Sequence, residues 1–391
     1  MRFLKADNLF NGDQFLPQTT VLVLENNGTL RDIISESETD SLNIEKLEGV
    51  ITPGFVNVHC HLELSHLKSV IPTHTGLVEF AKQIIIRRHK ASKDEIIEHQ
   101  LIADKSMKEL GIVAVGDICN TIDSFKVKEQ SSIYYHNFIE LLGLNPSNAE
   151  TNFEKGLLLL EELEKLGLHG SLAPHAPYST SIDLISKIAD YNILKNKTGT
   201  IHNQESEEET KFFSGEQSDF EKLFDFLNLD ISWFRAPKTS SLKNYFASLK
   251  NQKTILVHNT VSKKEDIQLA NNSTVFWCFC PNANLYIENK LPNYEFFKEL
   301  QNYICIGTDS LASNWKLDLI SEVNVLLNNS TEYNLQAVLK FITKNGAKAL
   351  AIDSNFGSFI KGKNAGLNLL EVASTVSGKS KNKLKFIKKI A

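Results

Sequence analysis

Four short stretches of the chain concentrate side chains able to bind a cation and move protons. His59-Cys60-His61 sets two imidazoles two residues apart, and His202-Asn203-Gln204-Glu205 sets an imidazole three residues before a carboxylate. His258 ends an apolar run, and Asp309 stands in Gly307-Thr308-Asp309-Ser310. Neutral imidazole nitrogens and a carboxylate oxygen are the usual ligands of zinc and ferrous iron. The predicted ligand set is His59, His61, His202 and Asp309 around one divalent ion. Water on such an ion loses much of its proton affinity, so hydroxide becomes available near neutral pH. Hydrolysis is the chemistry this implies.

These residues meet only if the chain brings distant strand ends to one rim. Eight β-rich runs recur along the middle, at 54–61, 112–119, 132–140, 169–175, 199–205, 254–258, 274–281 and 303–309. Their apolar residues are mostly consecutive, as in strands buried on both faces. Helix-length segments separate them, most clearly 151–168 and 181–194, the latter opened by a Ser cap. Eight β-then-α units predict an α/β chain folded as a (β/α)8 barrel. In that fold every candidate ligand lies at the C-terminal rim, where barrel enzymes place their chemistry. His59 and His61, at i and i+2, then point to one side.

Residues 206–253 form a long insertion after the fifth run, acidic at Glu207–Glu209 and then rich in Phe and Trp. It is expected to be helical, to sit on the active-site face, and to bury most of its aromatics in a small core of its own. Both chain ends read as strands, with Asn26-Asn27-Gly28 as a hairpin turn. The lysine-rich run 383–388 reads as an edge strand kept soluble by its charge.

Composition narrows the function classes. The 391 residues carry 42 Lys and Arg against 47 Asp and Glu, a net charge of -5, which disfavours nucleic acid and anionic membrane as partners. No apolar run is long enough to span a membrane, and the start resembles no signal peptide. Five scattered cysteines, an odd number, read as reduced thiols in the cytoplasm. Cys278 and Cys280 are too close to build a four-ligand zinc site and are expected to pack within a strand.

The segment from Thr52-Pro53-Gly54-Phe55 to His59-Cys60-His61 resembles the opening signature of the amidohydrolase superfamily, in its metal-dependent deaminase branch. The motifs at His202 to Glu205, His258 and Gly307 to Ser310 extend the likeness, with weaker matches at Ala173 to Tyr178, Thr343 to Leu350 and Gly357 to Gly362. His59 to Ser65 together with His202 to Ser206 is most similar to the aminofutalosine deaminases, relatives of adenosine and S-adenosylhomocysteine deaminases.

The resemblance implies that segments 1–51 and 345–391 join into a small β-sandwich beside a barrel at 52–344. It implies one metal, because the lysine of two-metal members has no counterpart in Ser171 to Pro177. With water the site is five-coordinate, which zinc tolerates and iron accepts. It also implies a small-molecule substrate, and homodimers are common among similar proteins. The family's C-terminal Ala-Asp-Leu is Ala365-Gly366-Leu367 here, with no catalytic consequence expected.

The expected reaction is hydrolytic deamination of an aminated purine-like heterocycle or nucleoside. Asp309 would take the proton of the attacking water. Glu205 would protonate the ring nitrogen and then the leaving amine. His258 would hydrogen-bond the water or the tetrahedral oxygen. Substrate contacts are expected from His175, which resembles a substrate-contacting histidine of nucleoside-type deaminases, and from Glu63, Arg87, Arg88, Trp233, Asn282 and Asn284. The competing chemistry on the same ligands is hydrolysis of a cyclic amide or of a chlorinated or aminated triazine-type ring.

Overall fold

The strands expected to carry the site occur in order along the middle of the chain. The computed structural model describes residues 1–374 and 382–391. Strands β1 (Arg2–Leu9), β2 (Thr20–Leu24), β3 (Leu30–Ser35) and β4 (Ile44–Pro53) open it. Strands β5 (Phe55–Cys60), β6 (Ile112–Cys119), β7 (Tyr134–Leu141), β8 (His169–Pro174), β9 (Gly199–Asn203), β10 (Thr254–His258), β11 (Val275–Phe279) and β12 (Ile304–Ile306) follow with helices between them. Strands β13 (Leu367–Ser374) and β14 (Asn382–Lys389) close it.

The eight middle strands pair in parallel as two half-sheets, β5-β6-β7-β8 and β9-β10-β11-β12. Every residue of β5, β10 and β11 is buried, as their consecutive apolar residues anticipate. The half-sheets join on both sides. At one seam Cys60 bridges Asp309, and the N–H groups of Thr308 and Asp309 both donate to the His59 carbonyl at 3.0 Å. At the other, His202 N–H donates to the His175 carbonyl at 2.9 Å. The arrangement is the (β/α)8 type, and both seams run through site residues.

Several strand ends differ from the sequence reading, those of β11 and β12 among them. Pro281 begins a helix, Pro281–Glu288, where its missing N–H costs nothing, instead of ending β11. β12 pairs over only three residues, because the chain turns away before Asp309, whose φ is +56°.

The chain ends meet in one six-stranded sheet, ordered β14-β13-β4-β1-β2-β3. β4 continues into β5 through Gly54, where a Cβ would lie 2.4 Å from Val113 Cγ1 and 2.6 Å from the Ala365 carbonyl oxygen. Only glycine lets the sheet attach so closely to the barrel. Helix Lys344–Ala349 packs on β5 and β12, so the sequence division at residue 345 falls within a barrel helix. The lysines of β14 lie on an edge strand, as expected.

The insertion forms helices Glu207–Ser214, Phe220–Phe226 and Ser241–Tyr245. Phe212, Phe213, Phe220 and Phe224 are buried, with Phe212 stacked on Phe234 at 4.4 Å and Phe220 on Tyr178 at 4.3 Å. All five cysteines are buried and free. Among the described residues no helix is long and apolar enough to cross a membrane.

Candidate metal centre and catalytic pocket

β5 ends at Cys60, so His59 lies in the strand and His61 in the turn after it, yet their rings converge. His61 Nε2 lies 3.2 Å from His59 Nε2 and 3.4 Å from His202 Nε2. Asp309 Oδ1 lies 3.3 Å from His61 Nε2 and 3.6 Å from His59 Nε2. Bonds of ~2.0–2.1 Å to a tetrahedral zinc ion put neighbouring ligand atoms about 3.3 Å apart. His59, His61 and Asp309 thus have the spacing of one coordination shell, and His202 stands beside His61.

Their protonation fits as well. Burial pushes His61 down to about 3 and His202 well below the usual imidazole value, so both are neutral near pH 7, the form a metal requires. His202 Nδ1–H donates to the His175 carbonyl at 2.8 Å, which leaves the Nε2 lone pair aimed at the cluster. Burial opposes ionisation of Asp309, but the imidazoles of His59, His61 and His258 around it hold its carboxyl well below the usual range. Ser313 Oγ donates to Asp309 Oδ2 at 2.6 Å and fixes the side chain. Gly307 lets β12 lie against β5: a Cβ there would meet His59 Cβ at 2.6 Å.

Backbone strain collects at the same rim. His258 leaves β10 with φ +74° and Asp309 leaves β12 with φ +56°. A non-glycine residue in the left-handed region costs about 1–3 kcal/mol and persists where its surroundings fix it.

Glu205 and His258 stand beside the cluster. His258 Nδ1–H donates to Asn284 Oδ1 at 2.8 Å, so its unprotonated Nε2 faces Glu205 Oε1 at 3.6 Å. Burial, reinforced by the charges of Asp309 and Glu209, raises Glu205 well above the usual carboxylate value. A buried carboxyl raised in this way is suited to give up a proton as a general acid. Burial lowers His258 to about 4.

These groups floor a cavity of about 490 Å³. Its walls are largely apolar. Leu77, Phe80 and Ile84 come from helix Leu77–Arg87, and Phe224, Leu227 and Trp233 come from the insertion. His175 lines it as expected. Ser179 spends its one hydroxyl proton on the Ala176 carbonyl, so His175 Nδ1–H donates to Ser179 Oγ at 2.6 Å and Nε2 is left as an acceptor. Arg88 also lines the cavity, with its guanidinium 3.7 Å from Glu63.

Four predicted substrate contacts lie elsewhere. Glu63 is buried and accepts the N–H groups of Asn120 and Thr121, tying together the loops after β5 and β6. Burial raises it to about 7. Arg87 donates to Gln83 on its own helix and is not part of the lining. Asn282 is held by Glu322, which accepts both its backbone N–H and its side-chain amide at 2.8 Å. Asn284 does not face the cavity; it orients His258.

Two further features carried no marked signal in the sequence. Glu140, in β7, lines the cavity with Oε2 accepting from Asn120 Nδ2 at 2.9 Å and Oε1 3.5 Å from His202 Nδ1. Its place near a strand's C-terminal end is the clue it shares with Asp309. Beneath the site, Lys128 and Asp117 form a fully buried ion pair at 2.6 Å. Asp117 also accepts the N–H of Leu62 at 2.8 Å, which fixes the chain directly after His61.

The comparisons with known proteins agree with this geometry. The amidohydrolase family matches residues 50–390. The chain is 26% identical over 316 residues to an adenosine deaminase of Helicobacter pylori, covering 78% of this chain and 75% of that protein. In fold it is similar to the H. pylori aminofutalosine deaminase solved in complex with methylthio-coformycin, with a TM-score of 0.80, 22% identity and 100% of each chain covered. It is also similar in fold to the atrazine chlorohydrolase of Arthrobacter aurescens TC1 complexed with zinc, with a TM-score of 0.74, 14% identity, and 97% and 90% of the two chains covered. Amidohydrolase family members bind a divalent metal. With a match that runs from within β4 through the whole barrel and past β14, this chain belongs to the amidohydrolase family.

Proposed function

We propose that this chain is a metal-dependent aminohydrolase that removes the exocyclic amine of an adenine-type nucleoside carrying an uncharged, apolar 5′ substituent, with release of ammonia. The observation that carries this reading is the buried Glu205 carboxyl set 3.6 Å from His258 beside three imidazoles and a carboxylate, at the floor of an apolar cavity. His59, His61, His202 and Asp309 would hold the ion, and zinc suits three imidazoles and a carboxylate best. When bound, it supplies a water whose proton is easily lost.

The side chains divide the remaining work. Asp309, ionised and fixed by Ser313, accepts the proton of the attacking water. Glu205 donates its proton to the ring nitrogen beside the reacting carbon, takes up the hydroxyl proton as the tetrahedral adduct collapses, and passes it to the amine so that ammonia leaves; the proton held by Asp309 then restores Glu205. His258, held by Asn284, accepts a hydrogen bond from the attacking water through Nε2. His175 Nε2 accepts from a sugar hydroxyl. The apolar walls take the 5′ group, because Arg88, the cation among the lining residues, is already opposed by Glu63. The names of similar proteins support an adenine-type substrate.

The test is ammonia release by the purified, zinc-loaded protein from adenosine, 5′-deoxyadenosine, 5′-methylthioadenosine and S-adenosylhomocysteine, with a chlorinated triazine and a cyclic amide as competing arms. The 5′-deoxy and 5′-methylthio compounds should give the highest kcat/KM. Turnover of a triazine or cyclic amide with no ammonia from any nucleoside would overturn the proposal.

A further inference from the structure

Three glutamates in a row, Glu207 to Glu209, open the first helix of the insertion, and only the third is buried. Glu207 pairs with Lys290 and Glu208 with Lys211, both at the surface. Glu209 is 1% exposed. Its Oε1 accepts the backbone N–H of Gln204 at 3.0 Å, and its Oε2 accepts that of Glu205 at 3.1 Å. One carboxylate thus holds the N–H groups of Gln204 and Glu205, two and three residues past ligand candidate His202, across a turn in which Gln204 has φ +49°.

The grip on this turn extends into the insertion and the next strand. Ser241, the first residue of helix Ser241–Tyr245, is buried and donates its hydroxyl to Glu209 Oε1. From the same helix Tyr245 OH donates to Asn203 Oδ1 at 2.8 Å. Gln204 Nε2 donates to Asp266 Oδ2 at 2.9 Å, and Ser240 donates to the other oxygen of Asp266. Asp266 follows β10, the strand that ends in His258. At 1% exposure these bonds are shielded from bulk solvent, where leaving an N–H without its acceptor is costly.

We propose that Glu209 is the positioning residue that aims Glu205 at the reacting centre, and that the returning limb of the insertion completes this clamp through Ser241. The inference rests on the acid role given to Glu205 above. Glu209 touches neither substrate nor reacting atoms. Its removal leaves two buried N–H groups without acceptors and lets the Glu205 backbone shift, and a displacement of an ångström at such a group costs on the order of 10²-fold in rate.

The experiment compares Glu209→Ala, Glu209→Gln, Ser241→Ala and Glu205→Gln in zinc-loaded protein, using whichever of adenosine, 5′-deoxyadenosine and 5′-methylthioadenosine the wild type turns over best. Glu209→Ala should lower kcat roughly 10–100-fold, with KM, zinc per chain and melting temperature little changed. Glu209→Gln, which keeps one acceptor oxygen, should recover part of the loss. Ser241→Ala should lower kcat by a smaller factor and serves as the test if Glu209→Ala does not fold. Wild-type kcat in a folded Glu209→Ala protein, or in Ser241→Ala where the first does not fold, overturns the inference while an inactive Glu205→Gln leaves the acid role standing. A loss of kcat matched by loss of zinc, with no rescue by Gln, also overturns it. Full activity in Glu205→Gln overturns the reading beneath it.

Discussion

The backbone N–H of Asp309 donates to the carbonyl of His59 at 3.0 Å. The bond that joins the first barrel strand to the last is therefore made by two of the residues whose side chains meet in the candidate metal centre. Closing the ring and assembling the donor cluster are one structural event, so a ligand supplied more than 240 residues along the chain arrives in register without a loop of its own.

Glu205 is the group whose removal separates chemistry from metal binding. Its carboxyl is buried, is pushed above the usual carboxylate range and lies outside the donor cluster. Glu205→Gln should keep its metal and lose ~10²–10⁴-fold in kcat. Steady-state kinetics with metal content measured on the same sample checks this, and near-normal turnover would count against the proposed acid.

Glu140 should matter to metal affinity. Its Oε1 lies 3.5 Å from His202 Nδ1 and is buried without a hydrogen-bond partner, so its charge acts on the imidazole whose other nitrogen faces the cluster. Loss of an outer carboxylate of this kind typically weakens metal binding 10–100-fold. Competition with a chelator should show a loss in that range for Glu140→Gln, and an unchanged affinity would remove Glu140 from the site.

Much of this was legible before any coordinates. The ligand candidates could be read because strand ends are marked by consecutive apolar residues, and the barrel rule assigns those ends to one rim. His59, His61, His202, Asp309, Glu205 and His258 needed only that. The substrate contacts needed tertiary packing, which leaves little local trace. Glu63 and Asn282 have the chemistry of pocket residues, but Glu63 turns to accept buried backbone N–H groups and Asn282 gives its own N–H and side-chain amide to Glu322. Glu209 reads as part of a solvated acidic helix start, and only the fold of the insertion buries it. The one-residue difference at the end of β5 left the convergence of His59 and His61 intact, because the turn after Cys60 still brings the His61 ring inward.

The Lys128–Asp117 pair should be costly to break on one side. Both side chains are fully buried, and Asp117 also anchors the Leu62 N–H. Lys128→Met strands the carboxylate and should lower unfolding free energy by about 3–5 kcal/mol, with much of the loss restored in the Lys128→Met, Asp117→Leu double variant. Denaturant titration measures both. A single-variant loss below about 1 kcal/mol would mean the pair is relieved by solvent.

His136 should impose a pH dependence of its own. It is buried in β7 with Nε2–H donating to Ser171 at 3.0 Å, and burial, aided by the charge of Lys197, lowers it to about 3. The unfolded chain binds this proton near pH 6.5, and the folded chain only near pH 3. The stability it contributes is complete above pH 6.5 and is lost as pH falls toward 3, at about 1.4 kcal/mol per pH unit. His136→Gln should flatten the stability curve by that slope in this window, and parallel curves would refute the assignment.

Elemental analysis of the purified chain and of its His202→Ala and Asp309→Ala variants tests most directly whether the four side chains hold a single ion. Wild type should carry about one divalent ion per chain, and each variant should lose most of it while remaining folded. Wild-type metal content in both variants, or full turnover by rigorously metal-free protein, would contradict the account.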